Sequence, residues 1–381
     1  MSPLRVQKYG GTSVASPSQL LSVASRVARC RRAGDELVVV VSAMGETTDH
    51  LIDLARQVHP EPPQRELDML LTTGERISMA LLAMALRGEG IEAISFTGSQ
   101  CGIITDSAHG QASILEVRAD RIREELGRGR VVIVAGFQGV SRDREITTLG
   151  RGGSDTTAVA LAGALGATSC EIYTDVPGVL SADPRCVPRA RVLPLLEPPT
   201  ALTLTALGAG VLMFRAASLG YSRGIPIVVR SAFDEGPGTR IDSEVRVETK
   251  GPAAVTRSAP VTLVRLTWEQ ARSLAGGTDI LALSEEVDSG VLRAVLPAEA
   301  ASRIRGGAPG VTRLSEGELV SLVSHGAMTL PLGALARTLA ENSGARILAS
   351  FAGPNYFSLL VAPGEGDALC AAWHAEFLDP R

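Results

Sequence analysis

The chain holds two lysines, Lys8 and Lys250, so 35 of its 37 basic residues are arginine. A chain biased this far towards arginine keeps lysine where a compact ammonium on a flexible stem cannot be replaced by a planar fork. Lys250 falls in a polar stretch where chance suffices. Lys8 opens Lys8-Tyr9-Gly10-Gly11-Thr12-Ser13, between a strand-like run and a helical one. Glycines there let backbone N–H groups approach phosphate oxygens, and the lysine adds a mobile positive charge. The order is neither that of a Walker A loop, where lysine follows the glycines, nor that of the dinucleotide fingerprint. On these residues alone, a structural turn explains the glycines about as well.

A second cluster, Thr147–Thr157, is more informative. Gly152 and Gly153 free the backbone, and Ser154-Asp155 opens a helix of small apolar residues. A helix start beside glycines cradles anions. Arg151 could clamp a carboxylate through two parallel hydrogen bonds, and Asp155 could hold Lys8 or a magnesium ion. A plain helix N-cap would account for Ser154 or Asp155, but not for the arginine and glycines beside them. Glu75, in Leu71-Thr72-Thr73-Gly74-Glu75, is expected near a helix start, where the dipole favours a carboxylate. It could equally receive the ammonium of an amino acid, although capping is the better explanation in isolation. Ser42–Thr48 offers hydroxyls without a base. Thr174-Asp175-Val176-Pro177-Gly178 leads into Asp183-Pro184-Arg185, where turn chemistry suffices, yet a nucleotide pocket would use such a loop with Arg185 near a phosphate. The five histidines lack zinc spacing, and neither H-E-x-x-H nor G-x-S-x-G occurs.

The elements that must position these groups alternate. Leu4–Gln7, Leu37–Ser42, Glu92–Phe96, Val131–Ala135, Glu171–Thr174 and Pro226–Arg230 are apolar or β-branched runs of strand length. Helical patterns cover Ser18–Arg32, His50–Val58, Thr73–Arg87 and Gln111–Gly127, and another begins near Ser154. Strands separated by helices imply a largely parallel sheet covered on both faces, with the ligand site in the loops after the strands. Past Gly236-Pro237-Gly238 the composition changes. Residues 242–258 read as a linker or an exposed crossing strand, and short strand–helix–strand patterns follow: Val261–Leu266 before Trp268–Leu274, then Val320–Ser324, Pro331–Ser343, Arg346–Ser350 and Phe357–Val361. That is the rhythm of ferredoxin-like modules.

Composition narrows the class. With 381 residues the chain is long enough for two or three domains, and its 45% apolar content excludes general disorder. A net charge of −4 and 3% aromatics argue against a nucleic-acid partner or an anionic membrane surface. No uninterrupted apolar stretch approaches the ~20 residues of a spanning helix. The N-terminus lacks the build of a signal peptide, and five scattered cysteines favour reduced thiols in a cytoplasm.

Taken in order, KYGGTSV, VVVSAMGETTDHLI, LLTTGERISMALLAMAL, FTGSQCGIIT, VAGFQGV, TTLGRGGSDTTAVALA, EIYTDVPGV and ADPR closely resemble the aspartate kinase family, within the amino-acid kinase superfamily. The resemblance covers nearly all of residues 3–241. It implies an α/β protein: a three-layer amino-acid kinase fold with a mainly parallel central sheet over residues 1–244, and α+β ferredoxin-like ACT modules over 245–381. The first module is divergent and the second covers about 318–381. It implies transfer of a phosphoryl group from Mg-ATP to the side-chain carboxylate of L-aspartate, with ATP and Mg2+ required and a homodimer formed through the ACT region. Lys8 would stabilise the transferring group and Asp155 would orient the lysine. Glu75 would hold the substrate ammonium and Arg151 a carboxylate, with Ser42, Thr47, Gly152, Gly153 and Ser154 lining the cleft. Gly10, Gly11, Ser13, Thr174, Asp175, Asp183 and Arg185 would meet the nucleotide.

Departures from the family pattern fall, on this reading, on the nucleotide side. Leu180 stands where tyrosine is usual, and Gly210 where G-A-K-V-L-H-P has lysine; Met213-Phe214 replaces His-Pro. Altered nucleotide affinity is the expectation. Leu266-Thr267-Trp268-Glu269 replaces the usual D-x-P-G turn, and the loop Ala349–Tyr356 does not match a lysine- or threonine-binding pattern, so feedback by those amino acids should be weak, altered or absent. Two alternatives are a paralogous kinase for a related amino-acid carboxylate, and a non-catalytic subunit that senses an amino acid.

Overall fold

The computed structural model describes residues 2–244, 251–275, 280–285, 291–303 and 311–379. Lys250 lies outside them. The chain divides into two compact units: residues up to Val179 together with Val211–Glu244, and Leu180–Gly210 together with the residues that follow 244. A single boundary at 244 therefore does not follow the contacts, because residues 180–210 group with the later part of the chain.

In the first unit, apolar runs become buried strands. β1 (Leu4–Tyr9), β2 (Glu36–Val41), β3 (Ala93–Phe96), β6 (Val131–Ala135), β9 (Ser169–Thr174), β10 (Ile227–Ser231) and β11 (Thr239–Ile241) lie in the order β11-β10-β9-β1-β2-β6-β3. All pairs are parallel except β10–β11. Leu37–Val41 and the whole of β6 are buried, as strands covered on both faces must be. A four-stranded sheet adds β4 (Ile103–Thr105), β5 (Ile114–Val117), β7 (Gln138–Ser141) and β8 (Ile146–Thr148), in the order β5-β4-β7-β8.

Six helices belong to this unit: α1 (Pro17–Arg32), α2 (Thr47–Val58), α3 (Gln64–Gly88), α4 (Asp120–Gly127), α5 (Gly153–Leu165) and α6 (Phe214–Arg223). Ser16 caps α1 by accepting the Gln19 N–H, with Pro17 at the first helical position. Two differences from the sequence reading have clear causes. The helix expected over Gln111–Gly127 is a strand followed by a shorter helix, because Ile114–Val117 pairs antiparallel with Ile103–Thr105. The helix expected from Thr73 begins nine residues earlier, at Gln64. By length and composition α3 could cross a membrane. Its buried Asp68 and Glu75, and its packing on α1, β3 and β8, make it a core helix.

The second unit carries a fully antiparallel six-stranded sheet, ordered Ala282–Glu285, Val291–Pro297, Gly251–Thr267, Thr312–His325, Tyr356–Val361, Ile347–Gly353. Residues 251–258 are not linker. Ala253–Thr256 are buried in a 17-residue strand that pairs along Thr312–His325. Helix Trp268–Ala275 starts at a capping box in place of the missing D-x-P-G turn: Thr267 N–H donates to Gln270 Oε1, and Gln270 N–H to Thr267 Oγ1. The segment read as an effector loop, Ala349–Tyr356, is largely the hairpin formed by Ile347–Gly353 and Tyr356–Val361.

Candidate active site

The carboxyl ends of β1, β2 and β6 meet at one edge of the main sheet. Ser42 donates its N–H to the Tyr9 carbonyl and Gly136 donates to Val41, so the loops that leave these three strands start side by side. Gly45 N–H then reaches back to the Gly11 carbonyl at 3.1 Å, tying the Gly10–Ser13 turn to the Ser42–Thr47 loop.

Lys8 and Tyr9 point to opposite faces of β1, as strand alternation requires. Lys8 faces α5, and its Nζ lies 2.7 Å from Asp155 Oδ1. Both side chains are largely removed from water, where two opposite charges attract much more strongly than on a surface. Asp155 sits in the first turn of α5, at the positive end of the helix dipole. The spatial link between Lys8 and the second cluster is therefore direct. Phe137, just past β6, donates its N–H to Thr157 Oγ1 and so fixes the same helix start to the sheet.

Arg151 stands in the turn that enters α5, exposed and four residues before Asp155. Gly152 in this turn has φ of +71°, a left-handed conformation that costs glycine little. A side chain at Gly152 would also collide with Met213, whose Cγ lies 2.0 Å from where a Cβ would stand. Here the sequence reading needs correction. Met213 does not belong to the nucleotide side alone: it packs on the turn that carries Arg151, which was assigned to the substrate.

Glu75 is not near a helix start. It lies midway along α3, buried, with one carboxylate oxygen accepting the Ala43 N–H at 3.2 Å. Its other oxygen is buried without a partner. Burial pushes its carboxyl up to about 7, against a smaller opposing pull from backbone amides. The preceding residue has to be glycine, since a Cβ on Gly74 would come within 2.8 Å of Ala43 Cβ. Helix α3 thus lies directly on the Ser42–Thr47 loop, and Thr47 in turn donates its hydroxyl to the Met44 carbonyl. A buried, half-satisfied carboxylate needs a cation or a donor. The ammonium of an amino acid is one such group. Ser13 Oγ, at the Gly10-Gly11 turn, is a second buried oxygen without a partner.

Thr174 starts beside the same turn, since Gly10 N–H donates to the Tyr173 carbonyl at 3.2 Å. Thr174 and Asp175 leave β9 and hydrogen-bond to each other, Thr174 Oγ1 to Asp175 Oδ1 at 3.0 Å. Asp183 and Arg185 form a closed pair in the second unit, through Arg185 Nε and Nη2. Leu180 and exposed Gly210 also belong to that unit. Among the described residues no cluster of three acidic, histidine or cysteine side chains could hold a metal ion.

A family model described as the amino acid kinase family matches residues 3–231, more than half of the chain. The chain belongs to that family. Aspartokinase of Mycolicibacterium smegmatis is 55% identical over 243 residues, covering 64% of this chain and 58% of that protein. Aspartokinase of Bacillus sp. (strain MGA3) is 54% identical over 245 residues, 64% of this chain and 60% of that one. The chain thus spans less than two thirds of the curated relatives it matches. Among solved structures, aspartate kinase from Synechocystis is 37% identical, with a TM-score of 0.59, over 99% of this chain and 70% of that one. E. coli aspartokinase III, crystallised with aspartate and ADP, superposes with a TM-score of 0.82 over 99% of this chain and all of that one. At 22% identity this second likeness speaks for the fold alone. For the amino acid kinase fold, the mainly parallel sheet expected from the apolar runs is what the first unit has.

Sequence reasoning missed a layer beneath the site. On the face of the sheet opposite Lys8, the rings of Tyr9 and Tyr173 stack at 4.6 Å. Gln7 Nε2 and the Tyr173 hydroxyl both donate to Glu171 Oε2. The signal was the alternation itself: Gln7-x-Tyr9 and Glu171-x-Tyr173 put polar groups at matching positions of neighbouring strands.

Proposed function

We propose that this chain is an aspartate kinase, transferring the γ-phosphoryl group of Mg-ATP to the side-chain carboxylate of L-aspartate. The observation that carries this reading is the buried, half-satisfied Glu75 carboxylate on α3, bonded to the Ser42–Thr47 loop beside the turn that follows Lys8, which pairs with Asp155. One is suited to hold an ammonium, the other to neutralise a transferring phosphoryl group. The aspartokinases that match the chain point the same way.

A carboxylate is already a nucleophile at neutral pH, so the site has no proton to remove. The work left is in-line positioning and neutralisation of charge. Lys8 would follow the phosphoryl oxygens on its flexible stem while Asp155 keeps the ammonium aimed. The first N–H groups of α5 and the Gly10-Gly11 turn would receive phosphate oxygens. Arg151 would take the substrate's α-carboxylate in a bidentate grip, and Ser42 and Thr47 would border the same cleft. Magnesium enters with ATP, as substrate.

Thr174, Asp175, Asp183 and Arg185 remain our candidates for contact with the nucleotide, and Gly210 for weakened affinity. A homodimer through the second unit and a cytoplasmic location belong to the same proposal. E. coli aspartokinase III has been crystallised with lysine and aspartate. For this chain we expect little control by lysine or threonine. The test is an ADP-release assay with aspartate, glutamate and N-acetylglutamate as acceptors, repeated with millimolar lysine plus threonine. Turnover with aspartate alone supports the reading. Turnover only with another acceptor favours a paralogous kinase, and none at all favours a sensing subunit. Strong inhibition at physiological lysine and threonine would refute the expectation about feedback.

A further inference from the structure

Asp68 is buried on α3 and belongs to no motif named above. One of its oxygens accepts the Thr148 hydroxyl at 2.6 Å; the other lies 2.7 Å from His109 Nδ1, and Gly110 N–H reaches both. All these partners sit on the loop after β4 or at the end of β8, two and seven elements further along the chain. Thr148 is three residues before Arg151. The turn between them is held from a second side by Arg215 at the start of α6, which donates to the carbonyls of Leu149 at 2.8 Å and Ala112 at 3.1 Å. Ala112 N–H returns a bond to the Thr148 carbonyl.

Asp68 and Glu75 are seven residues apart, two turns of one helix, so they share a face about 10.5 Å from each other along the axis. Midway along α3 Glu75 meets the Ser42–Thr47 loop, and two turns nearer the helix start Asp68 fastens the strand that leads to Arg151. The geometry points to Asp68 and Thr148 as positioning residues that set the distance between the two grips on the amino-acid substrate, and so its chain length. This rests on the reading that Glu75 holds the ammonium and Arg151 a carboxylate. A site of fixed span discriminates by one methylene only as far as its frame resists stretching; in rigid pockets that is worth about tenfold or more. A frame that yields by ~1 Å forfeits much of the reaction rate as well.

The experiment starts from the wild-type chain with aspartate and glutamate. Absence of turnover with either removes both the kinase reading and this inference. Given turnover, Thr148→Val, which keeps shape and deletes the hydroxyl, should raise the KM for aspartate about tenfold and leave the KM for ATP within about twofold. The glutamate-to-aspartate ratio of kcat/KM should rise. Thr148→Ser restores the hydroxyl and should bring both quantities back towards the wild-type values. Should Thr148→Val fail to fold, Asp68→Asn carries the test, with a smaller shift in the same direction. Equal rises in both KM values, or an unchanged acceptor ratio in a folded variant, would overturn the inference and leave the kinase reading standing.

Discussion

The two units bury different kinds of polar group. Among the described residues every buried carboxylate lies in the first: Asp35, Asp68, Glu75, Glu125, Asp155, Glu171 and Asp242. The buried polar groups of the second are hydroxyls and one histidine, among them Ser321 and Ser358, which bond to each other at 2.7 Å, and Ser181, which contacts His374 at 2.9 Å. A buried charge is costly unless something compensates it, whereas a pair of hydroxyls can satisfy itself. In the first unit Glu75 and Asp155 lie by the loops that leave β1, β2 and β6, and Glu75 leaves an oxygen open. In the second, the Ser321–Ser358 bond joins two neighbouring strands. Chemistry and pH sensitivity should therefore be concentrated in the first.

The strongest way to break this contrast is at Lys8. Lys8→Met should lower turnover by at least about a hundredfold and also lower the melting temperature, because it strands a buried Asp155 carboxylate at a cost of ~3–5 kcal/mol. Adding Asp155→Asn should recover the melting temperature but not the turnover. If the double variant regains activity, the ion pair is structural and the proposed mechanism fails.

Glu75 gives the next largest effect. Burial pushes its folded carboxyl up to about 7, from the 4.5 of an ordinary glutamate. The folded state therefore holds its proton more tightly than the unfolded one. Its contribution to stability is fully present below about 4.5 and is lost as pH rises to about 7, by on the order of 3 kcal/mol. Denaturant titrations from pH 5 to 8 should show wild type losing stability over that window and Glu75→Gln losing less. In kinetics, kcat/KM for aspartate should rise as the carboxylate ionises around pH 7. Glu75→Gln should be about tenfold weaker or more and flat with pH. A Glu75→Gln variant that keeps the wild-type pH profile would remove Glu75 from the substrate site.

The smallest effects belong to the second unit. Ser321→Ala or Ser358→Ala alone should cost ~1–2 kcal/mol by leaving a buried hydroxyl unpaired, and the double variant less than their sum. Neither single nor double variant should change the pH profile of turnover. A double-mutant cycle followed by urea unfolding and by ADP release checks both halves of that statement.

Much of the first unit was open to reading, because Leu37–Val41 and Val131–Ala135 are short apolar runs with nowhere to go except a buried parallel sheet. Lys8 and the Arg151–Asp155 run were recognisable because unusual residue types sit together in sequence. Asp68 was invisible for the opposite reason. Its partner Thr148 is 80 residues away, and an aspartate before a leucine run looks like any solvated helix face. Ile114–Val117 was taken for helix because its strand partner, not its own pattern, decides the conformation. Residues 251–258 fell in a stretch read as a linker or an exposed crossing strand, because alternating small and polar residues show a buried strand only once Thr312–His325 is beside them. Glu75 was given the wrong local setting, since the start of α3 carries no recognisable cap and Pro63 occupies that position.

The paired strands Gly251–Thr267 and Thr312–His325 set what changes the second unit can tolerate. They pair antiparallel along most of their length, with register shifts at Pro252–Ala254, Ser258–Val261 and Leu263–Val264, so the strands flanking them share one sheet through this seam. Neither strand can be lost alone without exposing a row of backbone donors and acceptors. Exchange of single side chains leaves that row paired, so it disturbs the unit far less than loss of either strand would.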